Sequence, residues 1–242
     1  MSDWTLYHGD FRTLLPGVLA EYGIPDLCIV DPPYGETALA WDRWPTDWPA
    51  LIPGNSMWCF GSLRMFMERR DEFADWQYGH DVVWEKHNGT GFVRDRFRRV
   101  HEFVSHWYRG PWAKVYARVP RVPKTHTLDK SVVRRIETQP SHTGTVGASV
   151  YVDDGLRLHR SVIKVPSVRG GIHRTEKPVA LLEKLIEYGC PPGGWVFDPF
   201  AGSASTLVAA QNVGRRAVGV ELDPEMYAKA AERLRVDAEA VS

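Results

Sequence analysis

Cysteine is scarce in this chain, and the three present, Cys28, Cys59 and Cys190, are isolated, odd in number and set in apolar surroundings. They read as reduced core thiols and exclude a disulfide framework. No run of 18 or more apolar residues occurs, and no basic N-terminal segment leads into a long apolar stretch. Neither membrane spanning nor export is supported, so a cytoplasmic location is expected. Internal repeats and low-complexity tracts are absent. So is the G-x-G-x-x-G turn that a pyrophosphate needs, which disfavours a nicotinamide cofactor.

Net charge is also missing: 30 basic residues balance 30 acidic ones. The balance is a cancellation. Residues 86 to 174 hold 18 Lys or Arg against 6 Asp or Glu, an excess of 12 positive charges, and the rest of the chain carries the opposite excess. A basic block set in an acidic body is the footprint expected of a phosphate-binding face. Arg94, Arg96, Arg98 and Arg99 are its densest group, and alternation along a strand would place three of them on one side. With 242 residues, 43% of them hydrophobic, the chain can build one α/β core plus a smaller insertion.

Two segments carry chemistry. Asp31-Pro32-Pro33-Tyr34 follows the apolar run Leu27-Cys28-Ile29-Val30, which puts a carboxylate, two rigid residues and an aromatic ring at the carboxyl end of a buried strand. Ligands of open α/β sheets collect outside those strand ends. The prolines cannot extend the ladder and form a stiff lip with an outward carbonyl. A carboxylate, a carbonyl and a ring can grip a flat, amino-bearing heterocycle.

The second segment is a βαβ unit. Trp195-Val196-Phe197 reads as a strand, Asp198-Pro199-Phe200-Ala201-Gly202-Ser203-Ala204-Ser205-Thr206 as a small-residue turn entering a helix, and Ala217-Val218-Gly219-Val220 as the next strand, ending at Glu221. Glu221 lies 23 residues after Asp198, near the roughly 20 expected between a glycine turn and the acid that bonds ribose hydroxyls. An adenosine-containing cofactor follows. A loop with one glycine suits a ligand without phosphates, held by N–H groups and hydroxyls at the helix N-terminus. S-adenosylmethionine is such a ligand.

Along the chain, strands are expected at Thr5–His8, Leu27–Val30, Ser56–Phe60, Asp81–Trp84 and Phe103–Tyr108. Helices are expected at Arg12–Tyr22, Arg64–Phe73, Pro178–Tyr188 and Pro224–Arg235. Glu36 to Asp47 reads as a mobile loop over the site. The alternation implies an α/β fold with a mostly parallel, doubly wound sheet. Residues 111 to 172, with prolines at 111, 120, 123, 140 and 166, break the rhythm. His101-Glu102 and His106 have the spacing H-E-x-x-x-H, which does not suit a helical zinc site, and no metal is expected.

Asp31-Pro32-Pro33-Tyr34, His173-Arg174-Thr175-Glu176-Lys177-Pro178, the Asp198–Ser203 loop and Gly219-Val220-Glu221-Leu222-Asp223 together resemble the β-group of DNA amino-methyltransferases. His8-Gly9-Asp10 and Phe97-Arg98-Arg99-Val100-His101-Glu102-Phe103 are further echoes. The similarity covers roughly residues 5 to 110 and 173 to 235. The order of motifs, catalytic before cofactor-binding, is the family's circular permutation of the Rossmann-like methyltransferase fold.

That resemblance implies transfer of a methyl group from S-adenosylmethionine to the N6 amino group of adenine in double-stranded DNA, with the base flipped out. Asp31, Pro32, Pro33 and Tyr34 would be catalytic. Glu221 would hold the ribose, Gly202 and Ser203 the methionine end, Phe200 the adenosine, Lys177 supported by His173 the methionine carboxylate, and Asp10 the adenine. Thr175, Asp198, Ala201, Thr206 and Leu222 complete the cofactor set.

It also divides the chain into a catalytic half (1–110), a target-recognition region (111–172) and a cofactor-binding half (173–242). Arg118, Arg121, Lys124, Lys130, Arg134 and Arg135 of the middle region would join Arg94, Arg96, Arg98 and Arg99 on DNA. Ala204 stands where the family commonly has a second glycine. A methyl at the start of a helix is sterically mild, so the pocket is expected to survive.

Serine is commoner than aspartate at position 31 in relatives acting on cytosine N4, so Asp31 favours adenine, with N4-cytosine methylation the alternative. An RNA or protein amino-methyltransferase and a non-enzymatic DNA-binding regulator are further alternatives. No cysteine follows a proline, which excludes a covalent C5-cytosine route. Ten tryptophans imply an aromatic-rich surface, and a homodimer is an expected assembly.

Overall fold

The computed structural model describes residues 4–39, 42–90, 94–124, 132–134, 149–151, 154–173 and 175–241. The chain runs through β1 (Trp4–His8), α1 (Phe11–Tyr22), β2 (Leu27–Val30), α2 (Trp48–Leu51), β3 (Ser56–Gly61), α3 (Leu63–Glu68), β4 (Gln77–Thr90) and β5 (Arg99–Tyr108). The short strands β6 (Arg121–Pro123), β7 (Val132–Arg134), β8 (Ser149–Tyr151) and β9 (Leu156–Leu158) follow. Then come β10 (Val162–Lys164), α4 (Val179–Gly189), β11 (Trp195–Asp198), α5 (Ser205–Asn212), β12 (Arg216–Glu221) and α6 (Pro224–Val241).

Eight strands form one sheet in the order β1-β12-β11-β2-β3-β5-β4-β10. Only β5 runs against its neighbours. Alternating residues of each central strand enter cores on opposite faces, as a period of two requires. Leu27, Ile29, Trp58, Phe60, Val196 and Ala217 meet α4, α5 and α6. Cys28, Val30, Met57, Cys59, Phe197 and Val218 meet α1, α2 and α3. Burial on both faces explains why β2 and β11 are continuous apolar runs.

Chain contacts define two compact units, Met1–Arg118 with Ser161–Ser242, and Val119–Arg160. The smaller unit contains two antiparallel pairs, β6 with β9 and β7 with β8. Within it Arg121 pairs with Asp154 at 2.6 Å. Although β10 lies inside the 111–172 stretch, it pairs with β4 in the large sheet.

Several expectations need correction. Arg94, Arg96 and Arg98 are not on a strand; β5 begins at Arg99, and the three precede it in the β4–β5 connection, so no alternation sorts them. The Arg64–Phe73 helix ends at Glu68, and a separate 3-10 turn spans Arg70–Phe73. The described residues of the segment expected to be a mobile loop make specific contacts. Buried Asp42 accepts the N–H groups of Gly35 at 2.8 Å and Thr37 at 2.7 Å, Trp44 donates to Glu72, and Trp48 is fully buried. The tryptophans do not make an aromatic surface either: of the nine described, only Trp112 is exposed. Large rings gain most from burial, and this core is wide enough to take them.

No helix among the described residues is long and apolar enough to cross a membrane. His106 is enclosed by Trp58, His80, Trp112 and Tyr188, with Nε2 3.0 Å from Ser56 Oγ. Burial, and then the neighbouring His80, push its pKa down to about 3. Below the ordinary histidine value the unfolded chain takes up a proton that the folded chain refuses, so stability falls as pH drops from 6.5 towards 3. His106→Gln is expected to remove about 2 kcal/mol of the stability lost between pH 7 and pH 5. Urea unfolding of variant and parent at both pH values checks this, and equal losses in the two would contradict it.

Candidate active site

Strands β1, β12, β11, β2 and β3 are mutually parallel, so their carboxyl ends share one edge of the sheet. His8 aligns with Glu221, Asp198 with Gly219, Phe197 with Cys28 and Val30 with Cys59. Neighbouring strands lie about 4.8 Å apart. Asp198, the last residue of β11, falls opposite Ile29, and Asp31 lies two residues further along the adjacent strand, one residue beyond β2. The two segments singled out in the sequence meet at this edge.

Both oxygens of Asp31 are engaged. Lys177 Nζ lies 2.6 Å from Oδ2, and Tyr34 donates its hydroxyl to Oδ1 at 3.0 Å. Each oxygen keeps a second lone pair. Lys177 is buried and sits 5.1 Å from the centre of the Phe60 ring and 5.9 Å from that of Tyr34. A second carboxylate, Glu102 on β5, lies 3.6 Å from the same ammonium and also pairs with Lys86.

Burial alone would pull the Lys177 pKa down, but Asp31 and Glu102 outweigh it and the net shift is upward. Burial would raise Glu102, yet Lys177 and Lys86 overcome it and hold the carboxyl below its ordinary value. Tyr34 is pushed well up, by burial first and then by Asp31. Lys177 is thus held between the carboxyl groups of Asp31 and Glu102 beside the proline lip.

The loop between β11 and α5 is built on Asp198, Gly202 and Ala204. Asp198 Oδ1 caps the turn by accepting the N–H of Phe200 at 3.0 Å. Ala201 N–H donates to Val220 O at 2.9 Å, and Gly202 N–H donates to Glu221 Oε2 at 2.7 Å. Glu221 Oε1 accepts Asp223 N–H at 2.8 Å. Gly202 and Ala204 have φ of 51° and 60°. The left-handed φ corrects the expectation for Ala204: its methyl group is not mild at a helix start but sits where a Cβ costs about 1–2 kcal/mol. The turn demands that conformation before α5 can begin.

Phe200 packs edge-on against Phe11 and Trp48, with ring centres 5.4 and 5.8 Å apart. Ala201, Ser203 and Thr206 are buried, whereas Leu222 is exposed. Asp10 caps α1 by accepting Arg12 N–H at 2.9 Å, beside the Glu221 strand end. His173 Nδ1 lies 3.0 Å from Thr175 Oγ1. Under the loop, Arg233 of α6 donates to Glu176 Oε1 at 2.8 Å, Ser203 O at 3.0 Å and Ser205 Oγ at 3.1 Å.

Sequence reasoning missed Glu102, Lys86, Glu176 and Arg233 as site residues. Glu102 and Glu176 lay inside motifs already singled out, so an acid next to a motif residue was the available signal.

Of the basic residues, Arg94, Arg96, Arg98 and Arg99 are all exposed beyond the same sheet edge, and Arg118 lies 5.6 Å from the Tyr116 ring centre. Arg121, Lys124 and Arg134 belong to the smaller unit, the first and last on β6 and β7. Lys130 and Arg135 lie outside the described residues.

Burial pushes the Asp198 pKa up to about 7, with Asp31 and Glu221 adding to the rise against hydrogen bonds from Thr206 and Phe200. Between about pH 4 and pH 7 the folded chain therefore keeps a proton that the unfolded chain has released. This group's contribution to stability declines as pH rises through that window. Asp198→Asn, which keeps the acceptor and drops the charge, is expected to stabilise the protein by at least about 1 kcal/mol more at pH 8 than at pH 5. Denaturant midpoints at the two pH values check it; an equal gain at both would contradict the assigned burial cost.

Residues 26–232 match the family model of the DNA methylases termed N6_N4_Mtase. Type II methyltransferase M.XycI of Xanthomonas campestris pv. cyanopsidis is 31% identical over 162 residues, which cover 66% of this chain and 45% of that protein. The chain spans 27% to 47% of the length of four curated relatives it matches. Among solved structures, the M1.HpyAVI–SAM complex superposes with a TM-score of 0.63 at 21% identity, covering 96% of this chain and 99% of the other. The cytosine-N4-specific PvuII DNA methyltransferase does so with a TM-score of 0.59 at 14% identity, covering 98% and 92%. These two likenesses establish a shared fold. With most of its length inside the family model, the chain belongs to the N6_N4_Mtase family of DNA methylases.

Proposed function

We propose that this chain methylates an exocyclic amino group of DNA, the N6 of adenine, using S-adenosylmethionine. The observation that carries the reading is the meeting of Asp31, Tyr34 and the charged Lys177 at the strand edge that also carries Glu221 and the Gly202 turn. The donor set fits an adenosine ligand without phosphates. It offers one carboxylate for ribose hydroxyls, a single glycine in a left-handed turn, and buried Ser203 and Thr206 at a helix start. When bound, S-adenosylmethionine supplies an electrophilic methyl group on a sulfonium.

The amino nitrogen of adenine is a poor nucleophile because its lone pair is delocalised into the ring. Asp31 carboxylate and Pro32 carbonyl accept hydrogen bonds from its two N–H groups and draw the nitrogen towards sp3 geometry, freeing the lone pair; the methylated nitrogen then sheds one of these protons to solvent. Lys177, 2.6 Å from Oδ2, and the Tyr34 hydroxyl fix the position of the Asp31 carboxyl group. The Tyr34 ring, anchored through its hydroxyl on Asp31, offers a stacking face to a base whose extrusion costs about a few kcal/mol. Alignment in a water-poor slot supplies the remaining rate. Lys177, His173, Thr175, Asp10, Phe200, Ala201 and Leu222 would hold the donor. The smaller unit, Val119–Arg160, with Arg121, Lys124 and Arg134, reads the target sequence; Arg118 of the larger unit also contacts DNA.

Asp31→Ala is expected to lower methylation by at least about 100-fold while the methyl donor still binds. Glu221→Ala is expected to weaken donor binding by about tenfold or more. Calorimetry with S-adenosylmethionine, paired with tritium transfer to duplex DNA, separates the two; retained transfer in Asp31→Ala would overturn the assignment.

N4-cytosine methylation is the second reading, favoured by the fold shared with a cytosine-N4-specific enzyme. Mass spectrometry of nucleosides from DNA methylated by this chain is expected to show N6-methyladenine. N4-methylcytosine in its place would reverse the preference.

A further inference from the structure

The connection between β4 and β5 carries an aromatic ring that methyl transfer leaves unused. Phe97 has a relative exposure of 102%, and every residue from Arg94 to Val100 is exposed. A single exposed apolar side chain is ordinary. Three facts set this one apart.

The first is its place. Strand β5 is antiparallel to β3, with Gly61 opposite Phe103, so the amino end of β5 lies at the carboxyl edge of the sheet. Arg99, the first residue of β5, lies 4.0 Å from Glu36, two residues beyond Tyr34, and Glu36 also bonds Ser62 at the start of α3. Phe97 lies two residues before Arg99, whose guanidinium approaches the loop that leaves the catalytic lip.

The second is charge. Arg94, Arg96, Arg98 and Arg99 flank Phe97 along the chain, with one acid among them, Asp95, which Arg96 engages at 2.6 Å. Among the described residues, Arg94 and Arg98 have no ion pair. The third is that no other ring among the described residues packs on Phe97.

Cations bind phosphates without regard to sequence, and an apolar ring between them enters a base stack. An enzyme acting on a base inside a duplex leaves a gap when that base swings out. We propose that Phe97 is a wedge for duplex DNA: the flanking arginines grip the backbone on both sides of the target nucleotide, and the phenyl ring fills the space the base vacates. Phe97 is thus a positioning residue, acting through the extruded base and not on the transferred methyl. The inference rests on the methyl-transfer reading given above.

The test uses two duplexes carrying the chain's own methylated sequence, identified by mapping modified bases in host DNA. In one the target base is paired; in the other it faces an abasic site, so little stacking and pairing remains to be broken. Phe97→Ala is expected to slow single-turnover methylation of the paired duplex by about tenfold or more, and to act on the abasic duplex within about twofold of the parent rate. Phe97→Trp, which keeps a stacking surface, is expected to retain activity on both. With 2-aminopurine at the target position, the parent should brighten the probe on binding and Phe97→Ala should not. Equal rates for parent and Phe97→Ala on the paired duplex would overturn the wedge, as would an equal loss on both duplexes. If the parent methylates neither duplex, the methyl-transfer reading fails first and the wedge falls with it.

Discussion

The parallel adjacency of β2 and β11 is the constraint on which the rest of the molecule depends. Their side chains interlock with helices on both faces, so register cannot slip without turning core residues to the wrong side. With register fixed, the residues just beyond each strand are fixed as well. Asp31 and Asp198 then stand on neighbouring strands, far apart in sequence yet close enough that the charge of one raises the pKa of the other. A stiff lip on one strand and a tight turn on the next are thereby held at one edge of the sheet.

Around that slot the sequence brings together charges that burial would otherwise forbid. Lys177 is nearly inaccessible, and its ammonium is tolerated because Asp31 and Glu102 flank it. Glu102 in turn depends on Lys86. Removing one member of such a cluster leaves an uncompensated buried charge, typically a loss of about 3–5 kcal/mol. The cofactor side has its own brace in Arg233, which ties Glu176, Ser203 and Ser205 to α6. The left-handed φ of Ala204 is a strained conformation that its braced surroundings hold in place.

Local signals were readable where chemistry and backbone coincide along the chain. The apolar runs of β2, β11 and β12 announced buried parallel strands, and the acids at their ends announced the edge where ligands collect. What the chain could not reveal is pairing across long separations. Nothing near Lys177 says that Asp31, 146 residues earlier, is its partner, or that Glu102 will stand behind both. The left-handed conformation of Ala204 was hidden because alanine is a good helix former; the turn geometry, not the residue type, sets its φ. The tryptophans misled for a related reason, since abundance says nothing about which side of a sheet a ring will face. The Arg94–Arg99 cluster was legible as charge but not as shape, because the start of β5 is decided by pairing with β4.

The central claim is that one sheet edge holds the reacting amino group and the methyl donor face to face. A crystal structure of this chain with a non-reactive S-adenosylmethionine analogue and a duplex carrying its target sequence tests it most directly. The account expects the exocyclic nitrogen of an extruded adenine within about 3 Å of the Asp31 carboxylate and the Pro32 carbonyl, with the analogue's ribose on Glu221. A complex with the base still stacked in the duplex, or with the analogue seated away from the Gly202 turn, would contradict it.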